Sequence, residues 1–162
     1  MQKSSFLISL TLIAFFPSHT FGAIGDSPSE ASKTYGSTLD GQPNMLNVGG
    51  EHLHYQSAYL NTIVKIEAVY LKRKCVGIRY EAIPQIPDEK SPLTPIMANK
   101  FLDENFGQTH WRLANTKHGE NGRLISQEYI HRRFFHTALY DGKSLTVWRK
   151  NGFLEAAQSP PE

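Results

Sequence analysis

The chain has 162 residues, 40 % hydrophobic and 20 % charged, with a formal net charge of +2. That length suits one domain with a substantial core, and the composition excludes wholesale disorder. A balance so near zero supplies no overall pull toward nucleic acid or a membrane surface.

The chain opens with the features of a leader. Lys3 gives a small positive start, residues 6–16 form an apolar run, and Pro17 breaks it. Thr20 and Gly22 then occupy the −3 and −1 positions of a cleavage site. The run is too short for an ordinary spanning helix. The spacing therefore predicts a cleavable signal peptide over 1–22, a secreted or periplasmic protein, and no stable membrane insertion once the leader is gone. No cysteine follows the run, so a lipidated N-terminus is not expected. Loss of Lys3 lowers the formal charge from +2 to +1.

A single α+β domain is expected over 23–157, with a disordered tail over 158–162. Ser27 and Glu30 form a capping-box pattern, Pro28 sits at the first helical position, and Gly36 follows Tyr35 where a left-handed terminator belongs. This predicts a short helix over 28–35 that docks through Ala31 and Tyr35. Residues 36–50 are rich in turn formers and read as a loop. Strand character resumes over 52–60, where Leu53 and Tyr55 alternate with His52, His54 and Gln56. A tight connection near Asn61 would lead back into the next strand.

Residues 63–82 carry the strongest signal. Val64, Ile66, Ala68 and Tyr70 alternate with Lys65 and Glu67, and Val76, Ile78, Tyr80 and Ala82 alternate with Gly77, Arg79 and Glu81. Superposing the two apolar sets makes Lys72-Arg73-Lys74 a three-residue loop. The same register sets Glu67 opposite Arg79, Lys65 opposite Glu81, and Cys75 opposite Leu71 on the outer face. Each opposite-charge pair contributes about 0.2–1 kcal/mol, and their coincidence with the apolar pattern supports a hairpin.

Pro84, Pro87 and Pro92 then impose an extended connector. Thr94 and Pro95 mark a second helix start, and Met97, Ala98, Phe101, Leu102 and Phe106 form its apolar stripe. Asn99, Lys100, Asp103 and Glu104 should face away, and Gly107 should end the helix. Trp111 and Leu113 precede a polar loop with Gly119 and Gly122, and residues 124–155 read as strands. Asp141-Gly142 predicts a two-residue hairpin turn, with Ala138 facing Leu145, His136 facing Val147 and Phe135 facing Trp148. Asn151-Gly152 offers a second turn. The sum is an α+β fold: an antiparallel β-sheet of meanders and hairpins, with one main helix and one short N-terminal helix packed on one face.

Gly25-Asp26-Ser27-x-x-Glu30, then Tyr35-Gly36, then a hairpin, resembles the start of small exported bacterial proteins. The layout is similar to that of the outer-membrane assembly lipoprotein E and the β-lactamase inhibitor proteins. That resemblance implies helices on an antiparallel sheet and a role in binding other proteins. The chain departs from those families in lacking a lipidation cysteine and in placing its longer helix after the central hairpin.

Catalytic and metal patterns are sparse. His52 and His54 share a strand face and could ligate a metal with His131 or His136. No HExxH or paired cysteines support that, so solvent-facing histidines and no metal are expected. Asp103 and Glu104 fall on a polar helix face, and there is no GxSxG or glycine-rich phosphate loop. Cys75 is the one cysteine, which rules out an intramolecular disulfide.

The basic runs 72–74, 132–133 and 149–150, interleaved with Tyr129, Phe134, Phe135 and Trp148, could form a single-stranded nucleic-acid face. The leader and the near-neutral charge point instead to cations that guard strand edges. The leading expectation is an exported, non-catalytic domain that binds a protein or another envelope component, without cofactor and without nucleic acid. Its anchors would be Phe135 and Trp148, with Arg133 and Arg149 beside them. The rival is a small exported hydrolase-like enzyme using His136 with Cys75 or a carboxylate.

Overall fold

The computed structural model describes residues 24–59, 62–84, 93–106 and 110–152. The leader, the turn near Asn61, most of the proline connector, Gly107 and the C-terminal tail lie outside the described residues. The elements are α1 (Pro28–Tyr35), β1 (Glu51–Tyr59), β2 (Thr62–Leu71), β3 (Lys74–Ile83), α2 (Pro95–Phe106), β4 (Trp111–His118), β5 (Leu124–His131), β6 (His136–Tyr140) and β7 (Ser144–Arg149). The seven strands form one open sheet in the order β1-β2-β3-β7-β6-β5-β4, and every pairing is antiparallel. Two meanders thus meet where β3 pairs β7. Among the described residues no helix is long and apolar enough to cross a membrane.

Local chemistry sets the helix limits. The Ser27 hydroxyl accepts from the Glu30 amide while the Glu30 carboxylate accepts from the Ser27 amide, closing the capping box. Gly36, at φ 89°, ends α1 in a backbone state that costs glycine little. Thr94 Oγ1 accepts from the Met97 amide at the start of α2.

Both helices dock through apolar side chains predicted for them, the Phe106 side chain lying outside the described ones. Ala31, Tyr35, Met97, Ala98, Phe101 and Leu102 join one core cluster with Tyr55, Ile66, Ile78, Tyr80, Leu145 and Val147. Tyr35 packs on Tyr55 and shares a hydrogen bond with the Tyr80 hydroxyl, while Phe101 stacks on Tyr80 with centroids 4.4 Å apart. Asn105 Nδ2 also donates to the Tyr80 hydroxyl. Trp111 Nε1 donates to the Leu102 carbonyl, tying the end of α2 to β4. Glu104 departs from expectation. Its side chain is 8 % exposed and paired with Lys100 at 2.9 Å, and burial raises its pKa.

The central hairpin keeps the expected register along most of its length, with Glu67 opposite Arg79 and Lys65 opposite Glu81. Two details differ. Leu71 pairs Lys74, so the loop is a two-residue turn of Lys72 and Arg73, both left-handed at φ 49° and 60°. A bulge then opposes Tyr70 to Cys75 and Val69 to Gly77. The bulge turns Cys75 into the main core and sends Val76 to the other face, where it joins Val69. A three-residue loop would have stranded the thiol outside, so burying both side chains favours the bulge.

The charge pairing differs as well. Glu67, fully buried, does not take Arg79 as its partner. It accepts from the Met45 and Leu46 amides and from His52 Nδ1 at 2.7 Å. His52 Nε2 lies 2.9 Å from the Val48 carbonyl. Both ring nitrogens of His52 thus face acceptor oxygens. Arg79 instead approaches Glu81 on its own strand, with Nε 3.9 Å from the carboxylate. The Glu67 clamp folds the loop before β1 onto the sheet, where Leu46 and Val48 cover Val69 and Val76.

In the C-terminal hairpin the predicted register is shifted by two residues. Tyr140 pairs Leu145, Ala138 pairs Val147, Thr137 pairs Trp148 and His136 pairs Arg149. Asp141 flanks the turn rather than entering it. Its carboxylate accepts from the Lys143 and Ser144 amides, leaving Gly142 and Lys143 at the tip. Residues 150–152 make a short helical turn in place of the predicted second hairpin.

Trp148 does not meet Phe135. Its ring covers Gly77 of β3 so closely that an added Cβ would lie 1.9 Å from Cζ3. Gly77→Ala is expected to displace the indole and cost about 1–3 kcal/mol by overpacking. Urea unfolding and tryptophan fluorescence check this, and an unchanged midpoint with an unchanged emission maximum would contradict the contact.

Candidate functional site

The β5–β6 connection, residues 132–135, reads Arg-Arg-Phe-Phe and lies at the end of the sheet where β7 finishes. Four hydrogen bonds fix its course. Arg132 N–H donates to the His110 carbonyl, and Lys150 N–H donates to the Phe135 carbonyl. His131 Nδ1 accepts from the Arg133 and Phe134 amides, 3.2 Å each, so that nitrogen carries no proton. The buried His131 ring stacks on Phe134 and meets Trp111 edge-on. His131 is thus the organiser of this loop, a role its sequence context did not reveal.

The loop presents two phenyl rings to solvent. Phe135 is 81 % exposed and Phe134 53 %. Phe135 also has φ +40°, a strained setting for a bulky side chain. A cleft of about 470 Å³ adjoins the loop, lined by Ile24, Gly25, Arg133, Phe134, Phe135, His136, Arg149 and Asn151. Gly25 reaches it because its amide donates to the Cys75 carbonyl, while the Cys75 amide donates to the Asp26 carbonyl.

Three of the four expected binding residues, Arg133, Phe135 and Arg149, line this cleft. The fourth, Trp148, sits over Gly77 and packs with Val69 and Val76. Among the described residues the cleft wall carries two guanidinium groups and no carboxylate.

Burial above all, then the neighbouring His131 and Arg149, lowers the pKa of His136 from its ordinary 6.5 to about 4. The folded protein therefore keeps this ring neutral between those values while the unfolded chain takes up a proton. Stability from His136 is complete above about pH 6.5 and is lost as pH falls toward 4, by about 3 kcal/mol at most and less where cleft water screens the ring. Urea unfolding at neutral and acidic pH should show this loss in the wild type and a smaller one in His136→Phe. Equal acid sensitivity of the two proteins would rule it out.

The other candidate residues are placed apart from this cleft or engaged elsewhere. His52 and His54 share a strand face but are largely covered, not solvent-facing. His52 is clamped to Glu67, and His54 Nε2 lies 3.2 Å from Asn44 Oδ1. Among the described residues no group of three or more histidines, cysteines or acids could hold a metal ion. Cys75 is buried, its thiol donates to the Gly77 carbonyl, and burial pushes its pKa up. That environment opposes the thiolate a nucleophile needs.

No protein-family model matches the chain, and comparisons with curated proteins and with solved structures also find no match. The resemblance drawn above therefore rests on residues 25–36 and the hairpin alone.

Proposed function

We propose that this chain is an exported, non-catalytic binding domain, cleaved after Gly22, with both helices on the Tyr80 face of its sheet. It engages an envelope component, protein or lipid, through the 132–135 loop and the adjoining cleft. The observation that carries this reading is Phe135: a bulky ring held at positive φ and 81 % exposed, on a cleft that Arg133 and Arg149 also line. Exposure and backbone strain both oppose folding, and aromatic and arginine side chains are enriched at binding interfaces. The thiol environment of Cys75 gives the rival enzyme reading no support.

A photoreactive phenylalanine analogue tests the proposal. Placed at position 135 in the exported protein it should give a covalent adduct, protein or lipid, visible by mass spectrometry. The same analogue at position 143, at the far end of the sheet, should give none. No adduct at 135, or equal adducts at both positions, would refute the binding face. The same spectra should show a chain starting at Ala23, and a chain starting at Met1 would refute cleavage.

A further inference from the structure

We infer that the partner is the surface of an anionic lipid bilayer, met by the end of the sheet that carries the 132–135 loop. The inference rests on the binding reading above and specifies its ligand. Strand pairing gathers cations that are scattered in sequence. The β2–β3 turn brings Lys72, Arg73 and Lys74; the β5–β6 loop brings Arg132 and Arg133; the end of β7 brings Arg149 and Lys150. All seven are exposed, out of 17 lysines and arginines in the chain. Among the described residues, the acids that register and backbone hydrogen bonds place at this end are Asp26, Glu30 and Glu51, three against seven, and the Glu30 carboxylate is engaged by the α1 cap. The described part of a chain of net charge +2 is therefore polarised along its strands.

The geometry suits a plane more than a filament. The cations come from loops at the ends of β3, β7, β6 and β5, which are neighbours in the sheet. At ordinary strand spacing the row spans roughly 14 Å. Beside it Phe134 and Phe135 project as apolar groups, and Arg133 and Arg149 share the cleft wall with them. Phenyl rings that enter the acyl boundary while guanidinium groups stay with lipid phosphates form the arrangement of an interfacial anchor. The chemistry recognised is a phosphate monoanion presented on a lipid, and the rings distinguish it from free phosphate.

Vesicle sedimentation of the exported full chain tests this. Vesicles of equal parts phosphatidylglycerol and phosphatidylcholine should bind it, vesicles of phosphatidylcholine alone should bind far less, and added salt should weaken the binding. Each cation near an anionic surface strengthens partitioning about fivefold. Arg133→Gln with Arg149→Gln should thus lower binding about 25-fold, and Phe135→Ser about tenfold. Arg123→Gln with Lys143→Gln, the same charge change at the opposite end, should lower it less than about twofold. Thermal melts of these exposed-site variants confirm that they fold. Equal loss from both double variants, equal binding to the two vesicles, or displacement by soluble glycerol phosphate would overturn the lipid assignment. So would binding of polyglutamate or a single-stranded oligonucleotide by the same residues without vesicle binding. In those last two cases the adduct at position 135 persists and the binding reading stands, whereas loss of that adduct sinks both.

Discussion

Glu67→Ala is expected to destabilise the fold by about 3–5 kcal/mol, the usual cost of breaking a buried charge-assisted cluster from one side. The carboxylate is fully buried in β2 and accepts from two loop amides and one imidazole. Removing it leaves those donors facing a void that water reaches only if the loop lifts. Lifting uncovers Val69 and Val76, so apolar burial is lost along with the hydrogen bonds. Glu67→Gln keeps the volume but aims an amide donor where only acceptors fit, and should fall between alanine and wild type. Urea unfolding gives the global cost. Amide hydrogen exchange at Met45 and Leu46 gives the local one, and wild-type protection of both amides in Glu67→Ala would show that the clamp does not hold the loop.

Phe101→Asp should be at least as damaging. The ring is 1 % exposed, stacked on Tyr80 with planes 3° apart, and its centroid is 5.4 Å from that of Tyr59. Truncating such a ring costs about 3–5 kcal/mol before any charge is considered. A carboxylate buried in its place adds a desolvation penalty or must stay protonated. Since a domain has about 5–15 kcal/mol in total, the aspartate variant should be largely unfolded at room temperature, while Phe101→Leu should lose under about 2 kcal/mol. Far-ultraviolet circular dichroism during a melt checks both. An aspartate variant that melts with the wild type would mean that α2 does not close the core.

The elements legible in the sequence are those whose cause is local. Ser27, Pro28, Glu30 and Gly36 define α1 because each acts within one helical turn, and Thr94 and Pro95 do the same for α2. The β2–β3 register was legible because apolar alternation and charge order agree along it. The bulge was not, since Cys75 and Val76 are both apolar and either can be turned inward without breaking the pattern. The β6–β7 register missed by two because Asp141 serves as a side-chain cap to the turn instead of its first tip residue. An even shift preserves faces, so Ala138 and Leu145 still share the core.

The candidate cleft was legible in part. Arg133, Phe135 and Arg149, chosen from composition, line it, but Trp148 lies over Gly77, a position that depends on the β3–β7 pairing, which has no local signature. The same pairing gathers the basic loops. Whole-chain charge, the quantity a sequence reports most directly, averages that polarity away. His131 escaped notice as a loop organiser because its role depends on backbone amides curling over its ring.

The turn of Lys72 and Arg73 sets two non-glycine residues in left-handed backbone states, an arrangement that Asn-Gly would adopt with less strain. The tip is therefore poorer as a folding device than its neighbours would allow, and it sets two exposed cations at the outermost point of the strand pair. Exchanging them for Asn-Gly would relieve that strain and strip two charges from this end at once, so a gain in thermal resistance would come with a weaker hold on the proposed anionic surface.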